Sequence, residues 1–166
     1  LTNFIRDVRE DIHELDRVYL PLETLREHGV SVDDLRAERC TAELRSAVAA
    51  ELRRAERRYR TGVRGIQKLP EDCQFGVLLA AVLYAEHHRL IRARDYDVVS
   101  GRPTLSRSRK LWTIARTWWH WRRTRDPVTV FKRVSAVPSD EPAPEDRVDK
   151  GRARWIPSPA AWILRR

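Results

Sequence analysis

The chain has no methionine, only two cysteines and only six glycines among its 166 residues. Cys40 and Cys73 lie in no C-x-x-C or His-paired spacing, so neither a zinc site nor a disulfide framework is expected. Both read as reduced, buried thiols of a cytoplasmic protein. Glycine is scarce and the apolar pattern is helical almost throughout, which makes the class all-α. The longest apolar run, 75–85, is too short to span a bilayer, and no signal peptide opens the chain. An intact translation product would begin with Met and usually with a helix cap. This chain starts inside what its spacing makes a helix, so it reads as a C-terminal piece or an incomplete gene product.

Histidine is also thinly used. Of the five, none has ligand spacing, and His87 and His88, being adjacent, point in different directions on a helix. No catalytic histidine is assigned.

Charge is abundant but uneven. Residues 1–101 carry 17 Lys and Arg against 18 Asp and Glu, whereas residues 102–166 carry 16 against 6. A nucleic-acid module would account for that basic end, yet it leaves unexplained the most distinctive stretch, which is at the other end. In residues 1–21, LTNFIRDVREDIHELDRVYLP, Asn3, Asp7 and Asp11 recur every four residues and share one face of a helix. Leu1, Ile5, Val8 and Ile12 form a separate apolar stripe, and Glu10 and Glu14 flank the oxygen row. Carboxylates one turn apart can hold Mg²⁺, with water and a diphosphate completing its octahedron. The same pattern also suits a solvated acidic face on which Arg6 and Arg9 make surface ion pairs.

The rest of the chain reads as a series of helices. Residues 22–29 form a short helix ended by Gly29, and Ser31 caps the next, 32–39. Thr41 caps a long helix to about Val63 with a core stripe of Leu44, Val48, Leu52, Ala55 and Tyr59. Its other face, with Glu43, Glu51 and Glu56 among the arginines, reads as solvated and internally ion-paired. Leu69-Pro70 is a break, followed by the most apolar helix, 71 to about 94, with Phe75, Leu78, Leu79, Val82, Leu83 and Leu90 facing inward. All six Trp lie between Trp112 and Trp162, and Trp112, Trp118, Trp119 and Trp121 are interleaved with Arg116, Arg122, Arg123 and Arg125. Two readings stand for that stretch: a bilayer interface facing anionic lipid, or a last core helix with its indoles packed inward. Residues 135–149, rich in Pro and acids, read as a disordered linker, and 155–166 as an amphipathic end that favours a membrane interface.

The string Asn3-x-x-Arg6-Asp7-Val8-x-Glu10-Asp11, followed by Arg17-Val18-Tyr19-Leu20-Pro21, resembles the second aspartate-rich motif of the squalene/phytoene synthase family, nearest its bacterial phytoene synthases. Two departures stand beside the ligand row. Arg9 replaces a usually small residue, and the segment 12–16 is one residue longer than usual, with Asp16 where Gly is common. Tyr59, the 65–69 turn, Leu83-Tyr84, Asp95-Tyr96-Asp97-Val98, Arg102, Ser106 and Lys110 are similar to the family's C-terminal helices, and the likeness fades after about Trp118. That sets a catalytic portion at 1–118 and a basic, Trp- and Pro-rich, partly disordered tail at 119–166.

The resemblance implies the C-terminal part of an isoprenoid-synthase-type helical bundle. It implies Mg²⁺, or Mn²⁺ in its place, on Asn3, Asp7 and Asp11. Arg6, Arg17, Tyr84 and Arg102 would meet a prenyl diphosphate, with Asp7, Asp11 and Tyr19 serving the reaction. The reaction implied is head-to-head condensation of two geranylgeranyl diphosphates to phytoene through a cyclopropylcarbinyl diphosphate. Squalene or dehydrosqualene synthesis from farnesyl diphosphate, or a non-catalytic partner subunit, are the alternatives. The family's first aspartate-rich motif is not matched, so a missing N-terminal half or a complementary subunit is expected to supply it. Apart from the resemblance, the cysteines and the Trp- and Arg-rich end make the expected setting the cytoplasm, with peripheral contact to an anionic membrane.

Overall fold

In the computed structural model, which describes residues 1–139, every regular element is a helix. In chain order these are α1 (Thr2–Arg6), α2 (Val8–Leu15), α3 (Leu22–Glu27), α4 (Val32–Arg36), α5 (Ala42–Ile66), α6 (Glu71–Ala93), α7 (Arg107–Thr124) and α8 (Pro127–Val134). Their starts follow from local chemistry. Ser31 and Asp34 form a reciprocal capping box at α4, and Thr41 accepts from the Leu44 amide at the head of α5. Ser106 accepts from the Arg109 amide at the head of α7. Asp126 accepts from the amides of Val128 and Thr129 while Pro127 takes the first position of α8. Each such cap is worth about 1 kcal/mol, since it satisfies an amide that has no partner inside its helix.

The opening segment differs from the single helix its periodicity suggests. Asp7 sits at φ −102°, ψ 17°, outside helical geometry, and divides α1 from α2. The ladder nonetheless continues across it, from the Asp7 amide to the Asn3 carbonyl and from the Asp11 amide to the Asp7 carbonyl, each 2.8 Å. The result is a kink, not a loop, centred on the middle residue of the oxygen row. At the end of α2, Asp16 adopts the left-handed conformation (φ 50°, ψ 41°), and the Arg17 amide reaches back to the Asp11 carbonyl at 2.9 Å. This is the helix-ending geometry that glycine fills most easily, and Asp16 adopts it here.

α5 and α6 run antiparallel through a short turn and carry a core at each end. At one end Ile5, Val8, Ile12, Leu25 and Leu35 of α1–α4 pack on Leu44, Val48 and Leu52 of α5 and Ile91 of α6. At the other, Val63 and Ile66 of α5 meet Leu78 and Val82 of α6, closed by Trp121 of α7 and Val130, Phe131 and Val134 of α8. Burial of each such aliphatic side chain contributes about 1.5–3 kcal/mol. The helical body therefore continues beyond residue 118: α7 crosses that position unbroken and α8 completes the second core. In α6 the inward residues are Leu78, Val82, Ala85 and Ile91, while Phe75, Leu79, Leu83 and Leu90 are only partly buried. Of the two thiols, Cys40 is half-buried and Cys73 is exposed near the start of α6, so the expectation of burial fails for Cys73.

The acidic side of α5 is a second correction. Glu51 and Glu56, expected on a solvated face, are both buried. They are drawn in because the helices around α5 supply their partners. Thr24 of α3 donates to Glu51 at 2.6 Å, and His88 and Arg92 of α6 both reach Glu56. Buried Glu86 of α6 likewise takes Arg109 of α7 at 2.8 Å. Charged groups thus clamp neighbouring helices together, and removing one partner strands a buried charge at a cost of about 3–5 kcal/mol.

His88 is wholly buried. Its Nδ1 lies 3.2 Å from a Glu56 oxygen and its Nε2 2.9 Å from Thr2 Oγ1, which is 3.1 Å from the Tyr59 hydroxyl. A carboxylate only accepts, so the proton is assigned to Nδ1, and Nε2 accepts from Thr2. Burial holds this imidazole neutral, its pKa lowered to about 4. The unfolded chain takes up that proton near pH 6.5, so folding stability should fall between pH 6.5 and 4 and level off below. The slope should approach about 1.4 kcal/mol per pH unit in the steepest part of that window. Denaturant melts of wild type and His88→Gln across this range will check it: the wild-type slope should exceed the variant's, and equal slopes would refute the assignment.

Candidate functional site

The oxygen row lies along the α1–α2 kink beside an apolar trough. Asn3 is exposed on α1 and belongs both to the row and to the trough wall. Asp7, half-buried at the kink, is gripped by two guanidinium groups. Arg6 donates to its two oxygens at 2.5 and 2.6 Å, and Arg102, 95 residues away, lies at 3.0 and 3.4 Å from the same pair of oxygens. Burial by itself would raise the Asp7 pKa, but the hydrogen bonds and charges of Arg6 and Arg102 outweigh it and hold the group below its ordinary value. Asp11, one turn on in α2, behaves in the opposite way. Burial, reinforced by the charges of Asp7 and Glu10, pushes it up against the opposing pull of Arg102.

Arg102 reaches the row because of the loop behind α6. Asp97 accepts from the amides of Val99 and Ser100 at 3.1 and 2.9 Å, which folds the segment into a tight turn. Gly101 then adopts φ +152°, where a side chain is strained and a Cβ would meet Arg94 at 3.4 Å. Pro103 is buried behind the exposed Arg102 and does not turn it away from Asp7.

The trough, about 590 Å³, runs between α1, α5 and α6. Leu1 and Phe4 of α1, Tyr59, Gly62 and Ile66 of α5, and Val77, Ala81 and Tyr84 of α6 form most of its wall. At Gly62 a Cβ would meet nothing within 4 Å, so this missing side chain leaves the trough open. Tyr84 is not a core tyrosine; it is substantially exposed on the trough wall. Tyr19, also exposed, stacks on Phe4 with ring centroids 4.9 Å apart, and its hydroxyl accepts from Arg17 at 3.2 Å. Tyr19 and Arg17 therefore approach the trough by way of Phe4, whereas Arg6, Asp7, Asp11 and Arg102 form one electrostatic group, with Asn3 one turn before Asp7.

Glu10 flanks that group, and its buried Oε2 has no hydrogen-bond partner. Among the described residues no three His, Cys, Asp or Glu side chains converge as a ready metal cage; the row offers two carboxylates and an amide. That donor set fits a hard cation that keeps part of its water shell. Asp11, raised chiefly by burial, and the unpartnered Glu10 oxygen are acidic groups beside the row that no guanidinium grips among the described residues. Phe4, Tyr59 and Gly62 were not singled out as site residues from the sequence. The first two look like ordinary apolar-stripe positions, and Gly62 becomes informative only once its neighbours across the trough are known.

Comparison with known proteins bears on these same residues. The family model for squalene/phytoene synthase matches residues 1–109, about two thirds of the chain. The chain is 43% identical over 105 residues to the phytoene synthase of Thermus thermophilus, covering 63% of this chain and 36% of that protein. It is 35% identical over 118 residues to the 15-cis-phytoene synthase of Synechocystis sp., covering 71% and 35%. It is also 35% identical over 111 residues to the chloroplastic phytoene synthase 1 of Solanum lycopersicum, covering 67% and 27%. It thus spans about a third of the length of these curated relatives. No solved structure matches it. Matched through the kinked oxygen row, the trough helices and the loop that delivers Arg102, the chain belongs to the squalene/phytoene synthase family.

Proposed function

We propose that this chain supplies one diphosphate-ionising side of a head-to-head prenyl transferase that joins two geranylgeranyl diphosphates into phytoene, a step of carotenoid biosynthesis. The observation that carries the reading is the meeting of Arg102 with Asp7, beside Asp11, on the same row as Asn3, which lines an apolar trough. A diphosphate needs cations, a prenyl chain needs apolar walls, and both are available within one site.

Asn3, Asp7 and Asp11 would hold Mg²⁺ or Mn²⁺, which when bound supplies Lewis-acid stabilisation of charge on a departing diphosphate. Arg102 and Arg6 orient the diphosphate, because a guanidinium donates two parallel hydrogen bonds to phosphate oxygens as readily as to a carboxylate. In this structure those donors are occupied by Asp7, which keeps them aimed at the row until a second anion competes for them. The allylic C–O bond breaks with its electron pair leaving on the diphosphate, and the remaining carbocation must be kept from water. The trough supplies apolar walls for the prenyl chain, and the π faces of Phe4 and Tyr84 on it, with Tyr19 stacked on Phe4, can tolerate positive charge. Each of the two condensation stages releases one diphosphate and one proton. The relatives' greater length leaves room for the second carboxylate motif that a complete enzyme of this kind requires.

Calorimetry with geranylgeranyl diphosphate tests this directly. Wild-type chain should bind the ligand in magnesium and lose most of that affinity in EDTA. Asp11→Asn and Arg102→Gln should each weaken magnesium-dependent binding by roughly tenfold or more while leaving the helical circular dichroism unchanged. Binding that is indifferent to magnesium and to both substitutions would dismiss the site.

Gly62 gives a separate prediction about chain length. Gly62→Leu removes a helix-weakening glycine and projects a side chain into empty trough space. Affinity for the C20 diphosphate should fall relative to the C15 farnesyl diphosphate by roughly tenfold, with no loss in thermal midpoint. An unchanged C20-to-C15 ratio would mean that the prenyl chain does not lie along α5.

A further inference from the structure

We propose that the outward face of α7 is a bilayer-contact surface that selects anionic lipid. The inference is independent of the magnesium site. α7 meets the rest of the body through a narrow stripe, Thr113, Thr117 and Trp121, one residue every turn. The outward side carries large apolar residues together with Arg122 and Arg123. Leu111, Trp112, Trp118 and Trp119 are between 49% and 68% exposed, a continuous greasy face without a cover among the described residues. The two sequence readings of the Trp cluster are thus divided within one helix, with Trp121 in the core and the other three indoles outside it.

Charge decides what fits this face. α7 contains six Lys or Arg and no acidic residue. The Arg122 guanidinium sits 5.4 Å from the Trp118 ring centre and that of Arg123 4.0 Å from Trp119. A guanidinium stacked on an indole keeps its edge N–H groups free for phosphate oxygens. Indoles settle at the headgroup level of a membrane, and cationic flanks are drawn to anionic lipid by about 1 kcal/mol per Lys or Arg near the surface. A second copy of the chain is a poor occupant, because it would set its own Arg122 and Arg123 against these. At 18 residues α7 is about 27 Å long, and lying flat it presents the whole face to one leaflet. Among the described residues no helix is long and apolar enough to cross the membrane, so the contact is interfacial.

The test is co-sedimentation of the whole chain with vesicles of phosphatidylcholine alone or mixed with phosphatidylglycerol. The chain should pellet with the anionic vesicles and stay largely in solution with the neutral ones. Raising salt from about 0.1 M to about 1 M, which shortens the Debye length from about 10 Å to about 3 Å, should release it. The triple variant Trp112→Gln/Trp118→Gln/Trp119→Gln and the pair Arg122→Glu/Arg123→Glu should each lower the partition coefficient by roughly tenfold or more. All substituted positions face outward, so circular dichroism should be unchanged. Wild-type partition retained by the triple variant, or equal binding to neutral and anionic vesicles, would overturn the proposal. So would a concentration-dependent dimer in light scattering that the triple variant abolishes, since the face would then serve self-association.

Discussion

One carboxylate shared by two guanidinium groups holds this molecule's working end together. Asp7 lies where the first helix kinks, Arg6 precedes it, and Arg102 arrives from the far side of α6. The pairing fixes the kink against the loop after α6, and it sets up the contrast between the two acids of the row. Asp7 is stabilised as an anion, whereas Asp11, crowded by Asp7 and Glu10, is not. An uneven pair of this kind is a place where a cation gains most by arriving and where a phosphate can exchange for a carboxylate on the arginines. The reaction proposed for this family member draws on that imbalance.

Beneath the row, the buried polar groups do a different job. Glu56, His88, Thr2 and Tyr59 form a continuous hydrogen-bonded line from the interior of the α5–α6 pair to the start of α1. Thr2 precedes Asn3, so this line tethers the residue next to the row. Its members are neutral or fully paired, which is the condition under which buried polar networks add order instead of instability. The apolar trough borders the same network through Thr2 and Tyr59. Thr2 and Tyr59 thus tie the apolar lining of α1 and α5 into the hydrogen-bonded network.

Much was readable from the sequence, and for local reasons. Ser31, Thr41 and Pro70 announce helix starts because capping and ring chemistry act over three or four residues. The spacing of Leu44, Val48, Leu52 and Ala55 declared which side of α5 is buried. Glu51 and Glu56 were misread because a carboxylate on a basic helix looks solvated until its distant partners are known. Here those partners are Thr24, His88 and Arg92, the last two on another helix. Position 118 shows the same dependence on distant partners. Likeness to known sequences fades there, but the apolar contacts of Trp121 and Phe131 continue the core. Of the stretch 135–149 read as a disordered linker, residues 135–139 pack on the body, with Val137 buried in the second core; 140–149 and 155–166 lie outside the described residues.

Sequence alone determined the helices, the position of an oxygen ladder at one end and of a Trp- and Arg-rich segment at the other, and the family. These depend on periodicity and short motifs, which the order of residues states outright. Only the tertiary structure decided that Arg102 meets Asp7, that Gly62 opens onto an apolar trough, and that one tryptophan of α7 turns inward while three turn out. Those outcomes depend on which helix faces come together across tens of residues, and no local pattern carries that information.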